Sequence, residues 1–195
     1  METIRAFVAI ELSEEIKQAL RGVQVKLKTM PGADRVRWVA PNNMHLTLKF
    51  LGEVPTVRVK ELTGALEQVS TDWAPFTLTA RALGCFPNTR RPNVVWVGLE
   101  GDLGQLTELA QQIETTYAQL GFPPEGRPFA PHLTLGRIPR EVRPADRAEL
   151  GTTIEKFPRA DYGTLDVSTV YFIQSDLRPA GPIYTKLASV TLHRP

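Results

Sequence analysis

The sequence predicts an α+β protein of two similar lobes, each of antiparallel sheet plus helices, rather than a parallel doubly wound sheet. Three observations carry that expectation. The tetrapeptide HLTL occurs twice, at residues 45–48 and 132–135. Around each copy the chain runs through strands, a helix, the HLTL strand and a further helical segment, the signature of an internal repeat. And 195 residues suffice for one well-buried domain or two small lobes sharing a core, so residues 1–195 are expected to form a single bilobal domain. The halves do not align away from the motifs, which leaves exchange of strands between the lobes open.

RAFVAIEL at 5–12 alternates and is rich in β-formers, as a strand requires. Ser13 then caps a helix whose first turn carries Glu14 and Glu15, favourable at the positive end of the helix dipole. Ile16, Leu20, Val23 and Leu27 recur at helical spacing, and Pro31 and Gly32 end the run. A short strand at 36–40 passes through the turn residues Pro41, Asn42 and Asn43 into HLTLKFLG at 45–52. Val59, Leu62, Leu66 and Val69 mark a second amphipathic helix. Strands at 76–83 and 93–100 flank the loop GCFPNTRRP at 84–92. Asp102 with Gln105 resembles a capping box, and Leu103, Leu106, Ala110, Ile113, Tyr117 and Leu120 form one face before Gly121 stops the helix. The segment 122–131 delivers the second motif; a helix near 144–156, with Leu150 and Ile154, precedes closing strands near 164–173 and 183–192.

Composition narrows the function. Hydrophobic residues make up 42% and charged residues 23%, ordinary for a soluble globular protein. No apolar run approaches the ~20 residues that span a bilayer, and the N-terminal METIRAFVAIELSEE is not a signal peptide, so a cytoplasmic protein with no membrane partner is expected. The single Cys85 fits a reducing compartment and reads as a small packed residue, not a nucleophile. The net charge of +2, from 23 Lys and Arg against 21 Asp and Glu, excludes the whole-molecule basic field of a tight duplex binder. A polyanion would need a local patch, and Arg90, Arg91, Arg127, Arg137, Arg140 and Arg143 cluster near the motifs.

Strand alternation gives the motifs their chemistry. His45 and Thr47 point to one side, with Leu46, Leu48 and Phe50 to the other; His132 and Thr134 stand likewise against Leu133 and Leu135. One His with Thr two places on is an ordinary coincidence; two copies with leucine at both flanking sites are not. Across a cleft, such strands would present two imidazoles and two hydroxyls to one ligand. Imidazoles titrate near 6.5, so one can remove a proton while the other donates one. That suits in-line displacement at phosphorus, with hydroxyls donating to the non-bridging oxygens. Zinc catalysis usually takes three protein ligands, and neither motif brings Cys, Asp or Glu at ligand spacing, while His193 reads as an exposed tail residue. No metal and no cofactor is expected.

These motifs resemble those of the two-histidine phosphoesterase superfamily, whose signature is a pair of H-x-T-x motifs. RAFVAIEL, RWVAPNNMHLTLKFLGEV at 37–54, RRPNVVWVGLE, FAPHLTLGR at 129–137 and SDLRPAGPIYTKL at 175–187 are similar to segments of the bacterial and archaeal RNA 2′,3′-cyclic phosphodiesterases, also called 2′-5′ RNA ligases. The resemblance implies pseudo-twofold symmetry, a metal-independent site in a central cleft, and hydrolysis of a terminal RNA 2′,3′-cyclic phosphate to a 2′-phosphate. It implies His45 as proton donor to the leaving O3′, His132 as the base that activates water, and Thr47 and Thr134 as holders of phosphate oxygens. Arg137 matches the basic residue after the second motif and suits phosphate, although strict alternation points it away from His132 unless a bulge at Gly136 intervenes. Lys49 and Phe50 stand where the second motif has Gly136 and Arg137. Phe7, Trp38 and Tyr184 are candidates to stack on a terminal base, with core packing the alternative for each.

The expected partner is RNA with a 2′,3′-cyclic phosphate end, tRNA fragments included, met by a monomer. Two other readings remain: a 2′-5′ ligase joining tRNA halves, or a phosphodiesterase for a small cyclic nucleotide, in both of which the same site serves; and a non-catalytic RNA-end binding module, for which Arg or Lys would serve as well as the histidine pair.

Overall fold

The computed structural model describes residues 2–179 and 181–193; Ala180, within the closing segment that carries part of the resemblance, lies outside them. Among the described residues nine strands form two antiparallel sheets, in the orders β3-β1-β8-β9 and β2-β6-β5-β4-β7. The strands are β1 (Thr3–Glu11), β2 (Arg37–Trp38), β3 (His45–Pro55), β4 (Phe76–Phe86), β5 (Val94–Gly101), β6 (Leu133–Arg137), β7 (Asp161–Val167), β8 (Thr169–Arg178) and β9 (Gly181–Thr191). The helices are α1 (Glu14–Lys28), α2 (Val59–Ser70), α3 (Leu103–Gln119) and α4 (Pro144–Lys156). Each sheet holds one HLTL strand beside the strand that opens its half: β3 beside β1, and β6 beside β5. Most of the rest is exchanged. From the N-terminal half β2 and β4 join the second sheet, and from the C-terminal half β8 and β9 join the first, while β7 stays in the second.

Helices are exchanged too. Helix α1 leaves β1 yet packs on β7 of the other sheet, whereas α3 leaves β5 and packs on β3 and α2. The Ser13 hydroxyl caps α1 by accepting from Ile16 N at 3.4 Å, and the four apolar residues read from the sequence are buried, joined by Gln24. Each buried apolar side chain stabilises by about 1.5–3 kcal/mol, so this stripe holds the helix to the sheet. Strand β1 is buried on both faces: Ala6, Val8 and Ile10 join the main core, and Phe7 and Ala9 form a small cluster with Ile173 on the other side. No helix among the described residues is long and apolar enough to cross a membrane.

Four details depart from the sequence reading. Strand β4 continues to Phe86, because Gly84, Cys85 and Phe86 pair with Trp96, Val95 and Val94. The expected strand at 164–173 is two, broken at Ser168, with β7 paired to β4 and β8 to β1. The capping box on α3 does not form: Gly101, at φ 101°, turns the chain and the Asp102 carboxylate accepts from Thr77 N of β4 at 3.2 Å instead. The fourth departure is the register of the HLTL strands. Ala9 pairs with Thr47 and Val8 with Lys49, so Leu48 is an extra residue; Trp96 pairs with Thr134 and Val95 with Gly136, so Leu135 is its counterpart. Both motifs carry a β-bulge at their fourth residue, and a bulge reverses the alternation beyond it.

Candidate active site

The bulges decide what enters the cleft. Past Leu48 it is Lys49 that is buried, 1% exposed, while Phe50 is 56% exposed and lines a cavity with Thr47. Phe50 therefore does not share the face of Leu46 and Leu48, because the bulge turns it out. Past Leu135 the same reversal buries Gly136 and exposes Arg137. The anticipated bulge thus lies one residue earlier than Gly136, and the Arg137 guanidinium bears on both imidazoles and on the Tyr184 hydroxyl.

Each histidine is oriented by the chain just before it. His45 Nδ1 lies 2.8 Å from the Asn43 carbonyl and His132 Nδ1 2.8 Å from the Ala130 carbonyl, in each case two residues back. A carbonyl only accepts, so Nδ1 carries the hydrogen in the neutral ring and Nε2 is the nitrogen able to exchange a proton. Asn43 is fixed in turn: its side chain donates to Pro182 O at 2.9 Å, joining the turn before β3 to β9.

Aromatic rings wall both imidazoles. His45 stacks on Phe7 with centroids 4.7 Å apart and meets the edge of Tyr184 at 5.3 Å. His132 meets Phe86 edge-on at 4.9 Å, and Phe86 lies 5.1 Å from Trp96. Of the three aromatics singled out from sequence, Phe7 and Tyr184 thus contact a histidine; Trp38, on β2, pairs beside Gly136 with Lys28 Nζ over its ring. Burial lowers the pKa of both imidazoles. For His45 the Asn43 carbonyl opposes that, Arg137 and His132 add to it, and Glu11 opposes it; for His132 the Ala130 carbonyl opposes it and Arg137 adds to it.

A cavity of about 680 Å³ is lined by Thr47 and Phe50, by His132 and Phe86, and by Arg127 and Phe129 of the segment before β6. That volume falls in the range of small-molecule sites. A smaller hollow of about 290 Å³ adjoins His45, with Asn42, Tyr184 and Lys186 in its wall. Thr134, half-buried, pairs with Trp96 two residues from His132. The arginine cluster disperses: Arg127 lines the cavity and Arg137 acts electrostatically on both histidines, but Arg143 is held by Asp146 in the first turn of α4. His193 is exposed, and among the described residues no three His, Cys, Asp or Glu side chains converge. Sequence reasoning missed Phe50, Phe86 and the carbonyls of Asn43 and Ala130; the last two could have been found, since each stands two residues before its histidine.

Comparisons with known proteins identify the family of the chain. The family model for LigT-like phosphoesterase matches the chain twice, over residues 10–96 and 97–184, the same offset as between the two HLTL copies. A Methanothermobacter thermautotrophicus protein named RNA 2′,3′-cyclic phosphodiesterase is 34% identical over 94% of this chain and 96% of its own. The crystal structure of Thermus thermophilus TT0787 superposes with a TM-score of 0.78 at 30% identity, over 97% of this chain and 98% of that one. E. coli LigT complexed with 3′-AMP superposes at 0.77 with 29% identity, over 98% and 99%. The match of the family model to both halves of the chain, with a relative 34% identical over nearly the whole of both chains, establishes that this chain belongs to the LigT-like phosphoesterase family.

Proposed function

We propose that the chain is an RNA 2′,3′-cyclic phosphodiesterase, hydrolysing a terminal 2′,3′-cyclic phosphate to a 2′-phosphate. The observation that carries this reading is the matched pair of imidazoles, each with Nδ1 held by a carbonyl and Nε2 left to exchange a proton, with one guanidinium bearing on both. His132 Nε2 takes a proton from water as its oxygen attacks phosphorus. His45 Nε2, protonated when the anionic diester is bound, gives its proton to O3′ as the P–O3′ bond breaks. Thr47 and Thr134 donate to the non-bridging oxygens, and Arg137 offsets the charge that builds there. The pair supplies both acid and base, so the reaction is metal-independent and needs no cofactor. The relatives named for this activity, and a relative that binds 3′-AMP, support the substrate class.

The substrates are RNA fragments with that end, tRNA pieces included. The whole chain acts as one bilobal unit, since strands exchanged between the sheets leave neither half able to complete its own. It works as a monomer, the cleft being built from one chain, and in the cytoplasm, where the lone buried Cys85 needs no partner.

The test replaces His45 and His132 separately with Ala and assays a short RNA ending in a 2′,3′-cyclic phosphate, with and without EDTA. Loss of turnover in both variants, a 2′-phosphate product and full activity in EDTA are expected. Undiminished turnover in either variant refutes the assignment, and activity lost to chelation and restored by zinc refutes the metal-free mechanism.

A further inference from the structure

Two polar groups that the mechanism does not use, Gln24 and Glu114, occupy matching places in the two halves; Gln24 is buried, and Glu114, half-buried, lines the cavity with Lys49. On α1 the buried residues Ile16, Leu20, Val23 and Leu27 have the same spacing as Leu106, Ala110, Ile113 and Tyr117 on α3. In that alignment Gln24, which follows Val23, corresponds to Glu114, which follows Ile113. Gln24 is 2% exposed, and its Nε2 donates to Val39 O at 2.8 Å and Leu135 O at 2.9 Å. Leu135 is the bulged residue of the second motif, and Val39 belongs to the segment leading into the first. Glu114 Oε1 accepts from Lys49 Nζ at 2.6 Å and from Glu125 N at 2.8 Å, and Lys49 Nζ also donates to Pro123 O at 3.1 Å. Lys49 follows the bulged residue of the first motif, its side chain fully buried, and Pro123 and Glu125 belong to the segment leading into the second.

We propose that Gln24 and the Lys49–Glu114 pair are positioning clamps, each fastening one HLTL strand at its bulge to the segment that delivers the other HLTL histidine. The inference rests on the reading of His45 and His132 as the reacting pair. Three features support it. Buried polar groups and ion pairs bring little net stability over apolar replacements, so their presence at both bulges points to geometry. The bulge leaves Leu135 O outside the β5 ladder, where Val39 N, at 2.9 Å, and Gln24 take it up. And the two clamps cross: α1 joins the first lead-in to the second motif, while α3 joins the second lead-in to the first motif. The separation of the two imidazoles is set by both clamps, because each histidine takes its orientation from its own lead-in carbonyl.

The experiment uses Gln24→Met and the double substitution Lys49→Met with Glu114→Met, which remove the clamps without stranding a buried charge. Glu114→Asp is the conservative control, keeping a carboxylate for the Lys49 ammonium and for Glu125 N. Misplacement of reacting groups by about an ångström lowers rate about 100-fold, so kcat on a cyclic-phosphate RNA is expected to fall tenfold or more, with KM within about threefold and Glu114→Asp closer to wild type than the double substitution. Independently of turnover, labelled histidine gives three imidazole signals. Each clamp variant is expected to shift both His45 and His132 while leaving His193 in place. Retained kcat, or a shift confined to the histidine of the strand that the clamp holds, overturns the proposal. A parent protein inactive on cyclic-phosphate RNA refutes the functional reading alone, and the imidazole signals then decide for or against the clamps.

Discussion

Replacing Gly84 with Ala is expected to impair activity through a chain of rings. Gly84 of β4 pairs with Trp96 of β5, and the indole lies across it: a Cβ there would stand 2.2 Å from Cη2, 2.4 Å from Cζ2 and 2.7 Å from Cζ3 of that ring. Ordinary carbon contacts begin near 3.4 Å, so the indole must retreat by about an ångström. Overpacking of this kind costs about 1–3 kcal/mol, which in a chain of this size lowers Tm by about 2–12 °C. The retreat reaches the site, because Trp96 contacts Phe86 and Phe86 contacts His132. With the imidazole displaced, kcat should drop by about 10- to 100-fold. Thermal melting followed by tryptophan fluorescence, together with turnover of a cyclic-phosphate dinucleotide, reads both effects. A Gly84→Ala variant with unchanged Tm and kcat within about twofold of the parent would show that the ring chain does not hold His132.

Burial lowers both imidazole pKa values below 6.5, so the unfolded chain binds more protons than the folded one just below that pH. Stability contributed by these groups is therefore complete above about 6.5 and declines as pH falls toward the lowered values; denaturant titrations from about pH 7.5 to 5 should show this, and less steeply for a variant lacking both histidines. Phe50→Ala removes an exposed ring from the cavity; with base stacking worth about 1–3 kcal/mol, KM for an RNA end should rise at least about fivefold with little change in kcat, and an unchanged KM would remove Phe50 from the substrate path. Burial pushes the Cys85 thiol up to about 12, so iodoacetamide at about pH 8 should label it only after unfolding, as mass spectrometry can establish.

What could be read from sequence was whatever depends on local spacing. Ser13 and the Ile16, Leu20, Val23, Leu27 stripe specify α1 without help from the rest of the chain, and the HLTL repeat announces two related motifs that differ just beyond the tetrapeptide. What could not be read depends on distant partners. The bulges at Leu48 and Leu135 arise from pairing with β1 and β5, and nothing in the tetrapeptide marks its last leucine as unpaired. The burial of Lys49 needs Glu114, 65 residues away in sequence, so alternation alone mistook which side of the strand Phe50 occupies. The break at Ser168 separates strands of two different sheets, and a continuous run of β-formers conceals it.

The two half-sites share the tetrapeptide, the Nδ1 contact and the bulge, so their division of labour must come from the residues beyond each motif. The fifth residue after each histidine is turned outward by the bulge: Phe50, which lines the cavity, in the first half, and Arg137 in the second. Under the proposed mechanism, a ring at Phe50 for a base and a guanidinium at Arg137 for phosphate would orient the ribose with O3′ rather than O2′ opposite His45. Phe50→Arg makes the two positions alike in charge without touching either motif. If the contrast between ring and guanidinium selects the bond that breaks, the variant should release 3′-phosphate alongside 2′-phosphate, separable by chromatography of the products. A variant that turns over normally and yields only the 2′-phosphate would locate the selection elsewhere, in the unlike ring walls of Phe7 and Tyr184 around His45 and of Phe86 beside His132.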